Sequence, residues 1–123
     1  MRLLHYHPNA MEASREAPKL GLVMSISVQI NDSQKIVTIT IIGSFDFSLF
    51  NDFRAAYSDL SEVYNIYIID MQMVEYLDSA ALGMLLSMRN AIDTESEIQL
   101  KGANDFIKNI LMISRFDKRF NIQ

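Results

Sequence analysis

Val74-Glu75-Tyr76-Leu77-Asp78-Ser79-Ala80-Ala81-Leu82-Gly83-Met84-Leu85-Leu86 changes its hydrophobic rhythm part-way along, and the change falls at Asp78. Asp is a favoured helix N-cap, and here it stands directly before a helix-forming run, so Ser79 belongs to the first turn. On a helical wheel Ala81, Leu85, Met88 and Ile92 stack on one side, with Leu82 and Leu86 beside them. Burial of each long apolar side chain contributes about 1.5–3 kcal/mol before entropy is subtracted. That side must face a sheet. The opposite side then carries Ala80, Gly83, Met84, Ser87 and Asn90, which are small or uncharged. A helix face without long charged side chains lets another protein approach closely, and an exposed Met adapts to it.

Working outward, Ile66-Tyr67-Ile68-Ile69 is a continuous apolar run, expected to be a strand covered on both faces, with Asp70 ending it as a turn residue. Upstream, Ile26, Val28 and Ile30 alternate with polar residues, and Val37, Ile39 and Ile41 form one face of a second strand. Asn31-Asp32-Ser33 joins the two as a hairpin. Gly43 is expected to end the second strand, with residues 43–47 as its exit loop. Ser48 is then the expected N-cap of a helix bearing Leu49, Phe53, Ala56 and Leu60. Downstream, Glu97–Lys101 predicts a strand. Asn104 or Asp105 caps a helix carrying Phe106, Ile107, Ile110, Leu111 and Ile113, and residues 119–122 supply a short edge strand. The order β-β-α-β-α-β-α-β predicts an α/β domain over residues 24–123, with a mixed four- to five-stranded sheet and three to four helices.

Residues 1–23 have no helical or strand period and read as a disordered tail, with Met24 as an alternative start. His5 and His7, the two histidines of the chain, fall in this tail, where two ligands make a poor metal site. A chain of 123 residues, half of them apolar, builds one core. With no Cys there is no disulfide or thiolate site, which suits the cytoplasm. The net charge of -4 argues against nucleic acid. Lys101, Lys108, Arg115, Lys118 and Arg119 gather toward the C-terminus and read as a solvated face. No run approaches the roughly 20 apolar residues of a membrane span, and only Leu3 and Leu4 stand between Arg2 and His5, so no signal-peptide core is expected.

Catalysis finds little support. Ser79 lacks the flanking glycines of a nucleophile elbow, and neither histidine lies in the domain to serve as its base. Asp70 and Asp78 are read as structural carboxylates rather than an acid–base pair. Only four glycines occur, none in a phosphate-binding loop. No cofactor is expected. Met71, Met73, Met84, Met88 and Met112 read as core filler, with Met84 alone a surface candidate.

The string Asp78-Ser79-Ala80-Ala81-Leu82-Gly83, after its Val-x-Tyr-Leu lead-in, resembles the Asp-Ser-[Ser/Thr]-Gly-Leu-Gly signature of STAS domains, typified by bacterial anti-sigma-factor antagonists. The likeness runs from about Ser25 to Gln123 and includes Gly43 and Asp46 of a Gly-x-x-Asp loop and Lys101-Gly102-Ala103-Asn104. It implies a non-catalytic module that sequesters an anti-sigma factor and is released when that partner, a serine kinase, phosphorylates the motif. A metal-dependent serine phosphatase reverses the modification. Carried over, Ser79 is the acceptor, Asp78 shapes the helix start and Asp46 lies in a loop near the same surface; together with Ala80, Gly83, Met84 and Ser87 of the outward helix face they form the expected partner surface. The sequence departs from the pattern at Ala80, in place of a second hydroxyl residue that some members use as acceptor, and at Ala81, in place of glycine. A constitutively active binder is the alternative to a switch at Ser79. The same fold also implies a cytoplasmic STAS subunit of a membrane transporter, or a nucleotide or small-ligand sensor near Asp46.

Overall fold

In the computed structural model, which describes residues 2–4 and 25–123, β-branched alternation builds the middle of a mixed sheet. Strands β2 (Ile26–Asn31) and β3 (Ile36–Phe45) pair antiparallel. Asn31 closes the turn between them, its Oδ1 accepting from the Gln34 amide at 3.1 Å. Strand β4 (Ile66–Leu77), strand β5 (Glu97–Lys101) and the short β6 (Asn121–Ile122) follow in parallel. Strand β1 (Arg2–Leu4) pairs antiparallel with β2 at the opposite edge, so the sheet runs β1-β2-β3-β4-β5-β6. Helices α1 (Phe50–Ser58), α2 (Ser79–Ala91) and α3 (Asp105–Ile113) fill the three parallel crossovers. Because the strands advance in one direction and such crossovers are right-handed, all three helices belong on one face.

Burial agrees with that geometry. Val28, Ile39, Ile69 and Leu100 lie in one register row, Ile30, Val37, Tyr67 and Ile98 in another, and all are buried. They join Phe53 and Ala56 of α1, Ala81, Leu85 and Met88 of α2, and Ile107 and Leu111 of α3 in one core. The alternate rows, including Ser27, Thr40 and Asp70, or Thr38, Ile68 and Gln99, are half-buried. The apolar run at Ile66–Ile69 is therefore covered on one face only: Tyr67 and Ile69 enter the core, while Ile66 and Ile68 line the second face.

The α/β class and the order of elements from Ile26 onward are as expected, but several boundaries move. Asp70 does not end its strand. It sits at a bulge, where β4 inserts one residue between the partners of Thr40 and Ile42, and its carboxylate accepts from the Gln72 amide at 3.0 Å. A second insertion falls between the partners of Gly43 and Ser44. The buried positions of β4 therefore shift from a spacing of two (Tyr67, Ile69, Met71) to three (Met71, Val74, Leu77). Gly43 likewise does not end β3. It takes φ +87 within the strand, opposite the second bulge, and β3 continues to Phe45.

Ser48 is not a helix N-cap. Asp46 caps a 3-10 turn at Phe47–Leu49, and α1 begins directly behind it. Arg2–Leu4 form an edge strand where a disordered tail was expected; the remainder of that segment, with His5 and His7, lies outside the described residues.

Candidate functional site

The parallel pairing of β3 with β4 ends at the partners Phe45 and Leu77, so the residues leaving both strands emerge side by side. The Asp78 amide donates to the Phe45 carbonyl at 3.4 Å, joining the start of α2 to the loop that begins at Asp46. Loops at the carboxyl ends of parallel strands are where α/β sheets place ligands and partners. Two aspartates shape this end. Asp78 is extended, and its Oδ1 accepts from the Ala81 amide at 3.0 Å, an N-cap bond. The Oδ1 of Asp46 accepts from the Ser48 amide at 2.9 Å and from the Ser48 hydroxyl at 2.5 Å. Each carboxylate holds a backbone turn.

Ser79 follows as the first residue of α2, and it is exposed. The helix dipole and the unpaired amides of a first turn make this position favourable for negative charge. Ala80 beside it is half-buried, and Gly83 and Ser87 lie exposed further along the outward side of α2. Asp46, Asp78, Ser79 and Ala80 are therefore gathered at one end of the sheet, with Gly83 and Ser87 extending the surface along the helix.

Met84 departs from its expected place. Only 5 % of it is exposed, because it turns toward α1 and borders a groove of about 360 Å³ together with Phe50, Phe53, Arg54, Tyr57 and Ser87. The phenol of Tyr57 there is raised above its ordinary value by burial, opposed by Arg54, so it remains a neutral hydroxyl at physiological pH. Among the described residues the exposed methionines are Met73 and Met112, both expected in the core.

The sequence also left two aromatic residues unremarked. Phe47 is 65 % exposed beside Asp46, and Tyr76 is 53 % exposed two residues before Asp78. The ring of Phe47 stacks on Phe50 with centroids 5.4 Å apart. Aromatic residues are enriched at protein–protein interfaces relative to the rest of a protein surface. The three-residue spacing of Val74 and Leu77 was the available signal, since it turns Tyr76 outward.

No group of three or more His, Asp or Glu side chains among the described residues is arranged to hold a metal. No helix among them is long and apolar enough to cross a membrane.

Comparison with known proteins gives a consistent picture. Residues 27–123 match the family described as Mlab, STAS domain. A STAS-domain containing protein of Pseudomonas aeruginosa is 40 % identical over 92 residues, covering 74 % of this chain and 90 % of its own. An anti-sigma factor antagonist from Mycobacterium paratuberculosis shares the fold with TM-score 0.64 at 20 % identity, over 84 % of this chain and 89 % of that one. The SulP transporter STAS domain from Vibrio cholerae does so with TM-score 0.62 at 16 % identity, over 92 % and 83 %.

Proposed function

The chain belongs to the STAS domain family, and on that premise we propose that it is an anti-sigma factor antagonist controlled at Ser79. In this reading the unmodified protein binds an anti-sigma factor in the cytoplasm, and that partner, acting as a serine kinase, releases itself by phosphorylating Ser79. A metal-dependent phosphatase restores binding. The chain itself is a binding module and catalyses nothing.

The observation that supports the reading is the exposed Ser79 hydroxyl at the tip of α2, beside two carboxylates engaged in holding turns. A phosphate adds about −1.5 to −2 charge. The helix N-terminus favours it by about 0.3–2 kcal/mol, while Asp78 opposes it, so the fold tolerates the group. A closed interface does not. Desolvating an unpaired charge costs several kcal/mol, and each ~1.4 kcal/mol is tenfold in affinity. Phe47, Tyr76, Gly83 and Ser87 supply the surface on which this penalty acts. Ala80 leaves Ser79 as the hydroxyl of the motif.

A transporter-associated role is the second reading, favoured by the likeness to the Vibrio cholerae STAS domain. A ligand sensor at Asp46 has less in its favour, because Ser48 engages that carboxylate. Affinity capture with wild type and Ser79→Asp as baits separates the first two. The antagonist reading expects a protein held by wild type, lost with Ser79→Asp, and able to phosphorylate Ser79 with ATP. Equal capture of a transporter ATPase by both baits contradicts it.

A further inference from the structure

The far end of α2 carries a feature unrelated to Ser79. Over its 13 residues the helix rises roughly 20 Å, and at its C-terminal end Arg89, Asn90, Thr94, Lys118 and Arg119 line a cleft of about 320 Å³. Arg89 is only 9 % exposed. Its guanidinium donates to the Ser96 carbonyl at 3.1 Å and to the Asp93 carbonyl at 2.8 Å, which anchors the loop into β5. Arg119 donates to the Asn90 Oδ1 at 2.6 Å, leaving the Asn90 amide NH2 as a donor. Lys118 and Arg119 are exposed.

Among the described residues, none of these three cations has a carboxylate at ion-pair distance. The carboxylate of Asp93 accepts from the Glu95 amide at 2.8 Å instead. Arg89 is lowered below the ordinary guanidinium value by burial and then by the charge of Arg119, with Asp93 opposing. Buried or crowded cations are ordinarily paired. Here the charge of Arg119 acts against that of Arg89, in a chain whose net charge is -4.

We propose that the cleft of Arg89, Asn90, Thr94, Lys118 and Arg119 is a binding site for a phosphate-bearing anion. A phosphate brings up to two negative charges and several acceptor oxygens. Guanidinium forks match its geometry, with the Asn90 NH2 and the Thr94 hydroxyl as further donors. The group is carried by a small soluble molecule or by a lipid headgroup, and the two sources are separable by experiment.

The test is a 15N–1H NMR titration of the full chain with inorganic pyrophosphate, at constant ionic strength set by chloride. A parallel arm measures co-sedimentation with phosphatidylcholine vesicles carrying phosphatidic acid. The comparison is Lys118→Gln/Arg119→Gln, at two exposed positions, with circular dichroism as the check that the variant keeps the fold. The expected result is saturable shifts at residues 89–96 and 116–119, weakened at least about tenfold in the double variant. Vesicle binding that the double variant loses, without a pyrophosphate response, assigns the phosphate to a headgroup and equally supports the site. Absence of both responses, equal affinity in the double variant, or shifts centred on Lys101, Lys108 and Arg115 would overturn it.

Discussion

Asp78 and Ser79 stand next to each other yet do separate work. Asp78 bonds the Ala81 amide, so Asp78→Ala removes an N-cap and is expected to cost about 1 kcal/mol, read from the midpoint of a urea melt. Asp78→Asn, which keeps the acceptor, is expected to restore most of it. Ser79 is exposed and makes no such bond, so Ser79→Ala should change stability by less than about 0.5 kcal/mol. The identity of the cap was legible because Asp directly preceded an apolar helical period. Ser48 was misleading for the same physical reason: Asp46, two residues earlier, is an equally good acceptor and takes the Ser48 amide. Met84 was legible in retrospect. It lies three residues after Ala81 and four before Met88, on the core stripe, and it is buried there.

At the scale of elements, the glycines separate stability from docking. Gly83 lies in the interior of α2 without positive φ, and an added Cβ meets nothing within 4 Å. Gly83→Ala is therefore expected to stabilise the helix by about 0.5–1 kcal/mol and to raise the thermal midpoint by a few degrees. The same methyl stands on the proposed partner surface, so tighter folding should accompany weaker partner binding. Unchanged affinity in that variant would remove Gly83 from the surface. Gly102 is the opposite case, with φ +82 and a built Cβ only 3.3 Å from the backbone of Gln72 at the β4 bulge. Gly102→Ala should destabilise by more than about 1 kcal/mol in the same melt. The approach of Gly102 to Gln72 was not legible, and of the bulges the sequence carries only an indirect trace, the three-residue spacing of Val74 and Leu77, with no residue type that marks where the extra residue is inserted.

For the molecule as a whole, the hydrophobic pattern specified the order of elements, since each strand and helix after Ser25 carries its own period. The second sheet face was not legible. Ile66–Ile69 reads the same whether one or both faces are covered, and only the monotonic strand order places the helices together. Strand β1 was hidden because three residues are too few to show alternation. A single core joining all three helices to the sheet predicts one cooperative transition. Tyrosine fluorescence, reporting the buried Tyr64 and Tyr67, should coincide with far-ultraviolet circular dichroism in urea. Separated midpoints would show that the helical layer and the sheet unfold independently.

The proposed switch rests on the intolerance of a docked interface for charge at the tip of α2, within a fold that is indifferent to that charge. Calorimetric titration of the proposed anti-sigma partner with wild type, Ser79→Ala and Ser79→Asp measures this directly. The account predicts wild-type affinity for Ser79→Ala, a loss of about a hundredfold or more for Ser79→Asp, and the same melting midpoint for all three. Equal affinity of the alanine and aspartate variants would contradict it.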